Sequence, residues 1–179
     1  MRRLMLLRHA KTENDAPSGR DQDRRLDERG HRDAAEIGSF IATHPPFPEL
    51  VLVSTAVRAH QTWDGAWAAM KEAVPAPKVE LLPELYGAEP GQLLHAIHGA
   101  VATDPPRLLL IGHNPGLHEL ALALSDGGGD AAAHRTLAGN LPTSGLVIFD
   151  FAGDDWSDVA FRRGRLVSFT SPKFLKQDD

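Results

Sequence analysis

Cysteine is absent from all 179 residues, which removes disulfides, thiolate metal sites, iron–sulfur clusters and cysteine nucleophiles together. Long apolar runs are missing as well. The opening stretch Leu4-Met5-Leu6-Leu7 is cut by Arg8 and His9, well short of an export core or a membrane span. There is no excess of positive charge: 19 Lys and Arg against 24 Asp and Glu leave a formal net charge of −5. A protein that grips nucleic acid through its phosphates carries a basic stripe, so this balance argues against nucleic acid as partner, and the lack of a span argues against a membrane. The expectation is a cytoplasmic protein. What is present is an ordinary globular mixture, 42% apolar and 24% charged. A chain of this length buries roughly 70% of its unfolded surface and needs no metal staple to fold.

Short apolar runs alternate with stretches of helical spacing. Arg3 to Leu7 reads as a buried strand and Asp27 to Thr43 as a helix with Ala34, Ile37, Gly38 and Ile41 on one face. Leu50 to Val53 reads as a second strand, with Ser54-Thr55 as N-cap of a helix that stops before Pro75. Val79 to Leu82 predicts a short strand, Gly91 to Val101 a helix, Leu108 to Ile111 a strand, and Gly116 to Leu124 a helix with Pro115 at its start. Ser125 to Gly145, with its Gly127-Gly128-Gly129 run, reads as a mobile surface connection. Leu146 to Phe151, Asp158 to Phe161 and Leu166 to Phe169 read as closing strands. Such alternation predicts one α/β domain with a largely parallel sheet covered on both faces.

Ligands of such sheets bind beyond the carboxyl ends of the strands. The first apolar run ends in Arg8-His9, the second in Ser54-Thr55 with Arg58 following, and the third in Gly112-His113. Guanidinium offers a planar fork of donors for phosphate oxygens at any working pH. Imidazole changes charge near neutrality and can attack when neutral. Two of each on one rim describe a phosphoryl pocket that contains a nucleophile. Cations gathered in this way repel one another unless a phosphate or a local acidic residue balances them. Phosphate, vanadate or tungstate should therefore bind the rim and stabilise the fold.

Arg8-His9-Ala10 after the first strand resembles the Arg-His-Gly signature of the histidine phosphatase superfamily. Leu26-Asp27-Glu28-Arg29-Gly30 is similar to that family's Leu-Thr-Glu-Arg-Gly element. Ser54 to Thr62 is similar to its Ser-x-x-x-Arg-Ala-x-Gln-Thr motif, and Gly112-His113-Asn114-Pro115 to its second histidine motif. The likeness runs from Met1 to about Leu124, and the SixA-like group of small bacterial phosphohistidine phosphatases is the part of the family it suggests. The resemblance implies a single three-layer α/β/α domain over 1–179, phosphoglycerate mutase-like, with neither metal nor cofactor. It implies His9 as nucleophile and Arg8 and Arg58 as phosphate donors. It implies a protonated His113 as a further donor, Arg24 as a fourth contact, and Glu84 at the place of the mutases' acid/base glutamate. Thr12, Ser54 and Asn114 would orient these groups.

The expected activity is removal of phosphate from protein phosphohistidine through a phosphohistidine intermediate. Two alternatives stand beside it: a small-molecule phosphomonoesterase of the same fold, and a catalytically silent module that binds phosphate or phosphoprotein. Ala10 and Glu84 motivate the second: a side chain replaces the family's glycine where the backbone leaves the strand, and the acid/base role of Glu84 is not settled in the small phosphatases. The other seven histidines, His31, His44, His60, His95, His98, His118 and His134, read mostly as surface residues.

Overall fold

The computed structural model describes residues 1–100 and 103–177. Strands β1 (Arg2–Arg8), β2 (Leu50–Ser54), β3 (Lys78–Leu82), β4 (Arg107–Gly112), β5 (Ser125–Gly129), β6 (Leu146–Phe151) and β7 (Gly164–Thr170) form one sheet in the order β3-β2-β4-β1-β6-β7-β5. β6 pairs antiparallel with both β1 and β7, and the other pairings are parallel. Helices α1 (Glu28–Thr43), α2 (Val57–Met70), α3 (Pro90–Gly99), α4 (Gly116–Leu124), α5 (Ala131–Gly139) and α6 (Pro172–Gln177) flank it.

The central strands are apolar along their length because both faces are covered. Leu4 and Leu6 of β1, Leu50 and Leu52 of β2, and Leu108 and Leu110 of β4 pack with Leu93, Ile97, Leu117, Leu120 and Leu137 of α3, α4 and α5. The alternate residues Met5, Leu7, Val51, Val53, Leu109 and Ile111 face Ile37, Ile41, Trp63 and Met70 of α1 and α2. Leu7 pairs with Ile111, and Ile111 with Val53. Ser54, His113 and His9, one or two residues further on, therefore reach the same edge at nearly the same height. β6 runs the other way, so the segment that feeds it also lies on that edge.

Several elements differ from the sequence reading. The expected mobile connection holds β5 and α5; the latter begins at Asp130, whose side chain accepts from the Ala133 amide. β5 is an edge strand whose residues Asp126, Gly127 and Gly129 are exposed, so it lacks the apolar alternation that betrays a strand. No strand forms at Asp158 to Phe161. Trp156–Asp158 make a 3-10 turn there, with Asp155 accepting from the Ser157 amide. Ser54 and Thr55 do not cap α2, whose N-cap is Ala56 without a side-chain bond. α3 runs Pro90–Gly99, and the expected end at Val101 lies outside the described residues. No helix among the described residues is long and apolar enough to cross a membrane.

Candidate active site

His9 follows β1 directly and His113 follows β4. Their rings lie 5.3 Å apart, and both side chains are buried. His9 Nδ1 lies 2.8 Å from the Ala10 carbonyl oxygen. A carbonyl can only accept, so the proton sits on Nδ1 and the lone pair is left on Nε2. Burial, aided by His113, Arg58 and Arg8, pushes the His9 pKa down to about 3, so the ring is neutral at pH 7. A neutral imidazole with a free Nε2 lone pair is a nucleophile.

His113 departs from expectation. It reads from sequence as a protonated donor, yet burial and the Arg58 charge push its pKa down to about 4. It can still donate. Its Nε2 lies 2.7 Å from Ser54 Oγ, and a hydroxyl that donates to Nε2 places the ring's own proton on Nδ1. Ser54, fully buried, thus holds His113, and its Oγ also accepts from the Ala56 amide at 3.3 Å just before α2.

Arg58 lies in the first turn of α2 and is buried. Thr62, one turn later, donates to the Arg58 carbonyl at 2.7 Å and accepts from the Ala10 amide at 2.9 Å, joining α2 to the end of β1. Gln61 accepts from the Leu26 amide at 2.8 Å and so holds the segment between β1 and α1 over the site. These bonds explain why Arg58 comes with Gln61 and Thr62 in one motif. Arg8 Nη1 donates to the Leu141 carbonyl at 3.2 Å.

Among the described residues, the buried side-chain nitrogens and oxygens without a partner are Arg2 Nε, Arg8 Nε, Arg58 Nε, His113 Nδ1 and Ser144 Oγ. All but Arg2 Nε belong to this edge. Buried polar atoms are normally paired, and a set of unpaired N–H and O–H donors on one rim is suited to an oxyanion.

Arg24 is half-buried beside the site. It donates to Asp21 Oδ1 at 2.9 Å, to the Glu13 carbonyl at 3.2 Å and to Thr12 Oγ1. Glu84 lies in a 3-10 turn at Pro83–Leu85 with its side chain exposed, and it makes no side-chain hydrogen bond among the described residues. Asn114 Nδ2 donates to the Leu141 carbonyl at 2.8 Å, so it braces the segment before β6. Ala10 does not require glycine. Its φ is not positive, and its Cβ packs in a small apolar cluster with Leu26 and Ala34.

Three residues on the rim escaped the sequence reading. Asp21 accepts from Arg24, from Arg58 Nη2 at 3.0 Å and from the Tyr86 hydroxyl at 2.6 Å. These donors hold its carboxyl far below the usual range, Tyr86 first among them. Tyr86 is the chain's single tyrosine, and its ring meets His113 edge-on at 5.6 Å. Ser144 is fully buried at φ +60, and its amide donates to the carbonyls of Arg8 and His9, each at 3.1 Å. A positive φ at a serine is a strained backbone held by its surroundings. One aspartate among many carries little signal in sequence; the pairing Tyr86–Asp21 spans 65 residues.

The profile of the histidine phosphatase superfamily (branch 1) matches residues 4–109. The chain belongs to that superfamily. A protein of Mycobacterium tuberculosis, itself uncharacterised, is 36% identical over 169 residues, which is 93% of this chain and all of the relative. Among solved structures, a provisionally assigned phosphohistidine phosphatase SixA from Agrobacterium tumefaciens superposes with a TM-score of 0.76 at 32% identity, covering 96% of this chain and 99% of that one. Another such assignment, from Nakamurella, gives 0.80 at 26% identity, with 96% of each chain covered. The fold is phosphoglycerate mutase-like, the expected SixA-like grouping holds, and the protein is a phosphatase of the histidine phosphatase type.

Proposed function

We propose that the protein removes the phosphoryl group from phosphohistidine on another protein, through a transient phosphohistidine at His9. The observation that carries this reading is the Nδ1–H bond from His9 to the Ala10 carbonyl, which leaves Nε2 free beside unpaired donors of Arg8, Arg58 and His113.

In the first step the Nε2 lone pair attacks phosphorus as the bond to the substrate's ring nitrogen breaks; that nitrogen keeps the bonding pair and takes a proton from solvent at the exposed rim. In the second, water attacks phosphorus, the P–Nε2 bond breaks, and inorganic phosphate departs. Negative charge spreads over the equatorial oxygens in both steps. Arg8 and Arg58 stabilise it as fixed cations, and His113 contributes its Nδ1–H. Arg24 extends the donor set at the rim. Glu84, exposed two residues before Tyr86, would serve the leaving group or the water by reorienting.

The openness of the rim favours a large substrate. Asp21 and Glu84 are exposed and Tyr86 is half-exposed, while His9 itself is sunk at 7%. A phosphorylated side chain that projects from a protein surface can reach down to it. The likeness to the SixA assignments points the same way.

Rapid quench into alkali should trap an acid-labile phosphoenzyme in the wild type and none in His9→Ala. Full turnover by His9→Ala would refute the pathway. Parallel assays on a phosphorylated histidine-containing phosphotransfer domain and on sugar phosphates decide the substrate class. A higher kcat/KM on the sugar phosphates would assign the protein to small-molecule phosphomonoesters instead.

A further inference from the structure

We propose that Asp21 is a positioning residue that aims the Arg58 guanidinium at the phosphoryl group. The inference rests on the phosphatase reading above and adds a residue to it.

A guanidinium is planar and carries five N–H donors in a fixed fork. Asp21 engages both terminal nitrogens of Arg58. Its main-chain carbonyl accepts from Nη1 at 2.7 Å, and its Oδ2 accepts from Nη2 at 3.0 Å. Two acceptors from one residue fix the plane of the fork as well as its position. The edge that remains, Nε, is buried and unpaired, as is Nε of Arg8. Asp21 therefore covers one edge of the fork and leaves the other to an oxyanion.

Asp21 is itself held from several directions. Oδ1 accepts from Arg24 Nη1 at 2.9 Å, and Oδ2 accepts from the Tyr86 hydroxyl at 2.6 Å. The Tyr86 ring in turn lies 5.8 Å from the Arg58 guanidinium carbon. A carboxylate that merely offset charge would need none of this. Here the 3-10 turn at Asp21–Asp23, the first turn of α2 and the segment after β3 converge on one side chain.

Charge and geometry make opposite forecasts. A carboxylate beside the site repels a phosphate, so on charge alone its removal tightens oxyanion binding. If Asp21 aims Arg58, its removal loosens binding, because misplacing one donor by about 1 Å is worth far more than a screened repulsion at an exposed rim. The sign of the change decides.

The experiment is a calorimetric titration of the full-length protein with tungstate, alongside kcat and KM on a phosphorylated histidine-containing domain. Asp21→Ala is expected to weaken tungstate and lower kcat/KM, each by about tenfold, with kcat sharing in the loss. Asp21→Asn keeps the shape but turns an N–H toward the existing donors, and is expected to act in the same direction. In an Arg58→Ala background the Asp21→Ala change should cost clearly less than in the wild type, since only its hold on Arg24 is left. Equal or tighter tungstate binding by both Asp21 variants would overturn the proposal, and so would a full, additive loss in the Arg58→Ala background. A wild type that bound no tungstate would overturn the phosphatase reading along with it. A wild type that binds and turns over, with unaffected variants, would overturn the role of Asp21 alone.

Discussion

At the scale of single residues, the site depends on which nitrogen of each imidazole is free. For His113 that choice falls to Ser54, whose hydroxyl is fully buried 2.7 Å from Nε2. Ser54→Ala leaves that nitrogen buried without a partner and frees the ring to turn. The expected result is a kcat about tenfold lower, and a loss of roughly 1–3 kcal/mol in stability by urea denaturation. Unchanged kcat would show that His113 is held by packing alone. Arg8, His9, Arg58 and His113 were legible in the sequence because each follows closely on the end of an apolar run, where a parallel sheet puts its ligands. Asp21, Tyr86 and Ser144 were not. Their roles come from contacts across the fold, and no local pattern announces an aspartate on a 3-10 turn that meets a tyrosine from beyond β3. The protonated state expected for His113 came from the resemblance alone; burial first, and then the Arg58 charge, hold the ring down to about 4.

At the scale of elements, the strands at the centre of the sheet were readable from their unbroken apolar runs, whereas the periphery was not. β5 is edge strand and mostly exposed, so Ser125 to Gly129 shows no alternation and its glycines read as a flexible connection. The Asp158 to Phe161 stretch has strand-like residues but an Asx-type turn at Asp155 takes the backbone elsewhere. The join between α1 and the segment over the site is a tight local constraint. At Gly30 an added Cβ would lie 2.0 Å from the Lys11 carbonyl oxygen. Gly30→Ala gains at most about 1 kcal/mol of helix propensity, against roughly 1–3 kcal/mol for the overlap. The clash wins. The variant should melt lower and bind tungstate more weakly, because Lys11 to Asp27 is the excursion that carries Asp21 and Arg24. A melting temperature at or above wild type would mean that the segment shifts freely.

For the whole molecule, two histidines held neutral by burial set a dependence on pH. The ordinary value is 6.5, and the folded protein holds His9 to about 3 and His113 to about 4. Below 6.5 the unfolded chain binds protons that the folded chain refuses, so acid favours unfolding. The contribution of this pair is complete above pH 6.5 and is lost progressively as pH falls from there toward 4 for His113 and 3 for His9. Thermal melts between pH 7.5 and 4.5 should fall accordingly, and a His9→Asn/His113→Asn variant should fall less steeply over that range. Asp21 acts in a separate and more acid window, since its carboxyl is held down in the folded state and its contribution goes as pH drops through the usual carboxylate range.

The tether from His9 to the oxygen of its own neighbour, Ala10, has a lasting consequence. A peptide oxygen neither titrates nor swings away on a flexible stem, and it cannot be deleted by replacing a side chain. Where other proteins rely on a remote carboxylate to choose between the ring's two tautomers, this one builds the choice into adjacent backbone. Mutational drift around the pocket can therefore reshape what docks there while the attacking atom stays the same.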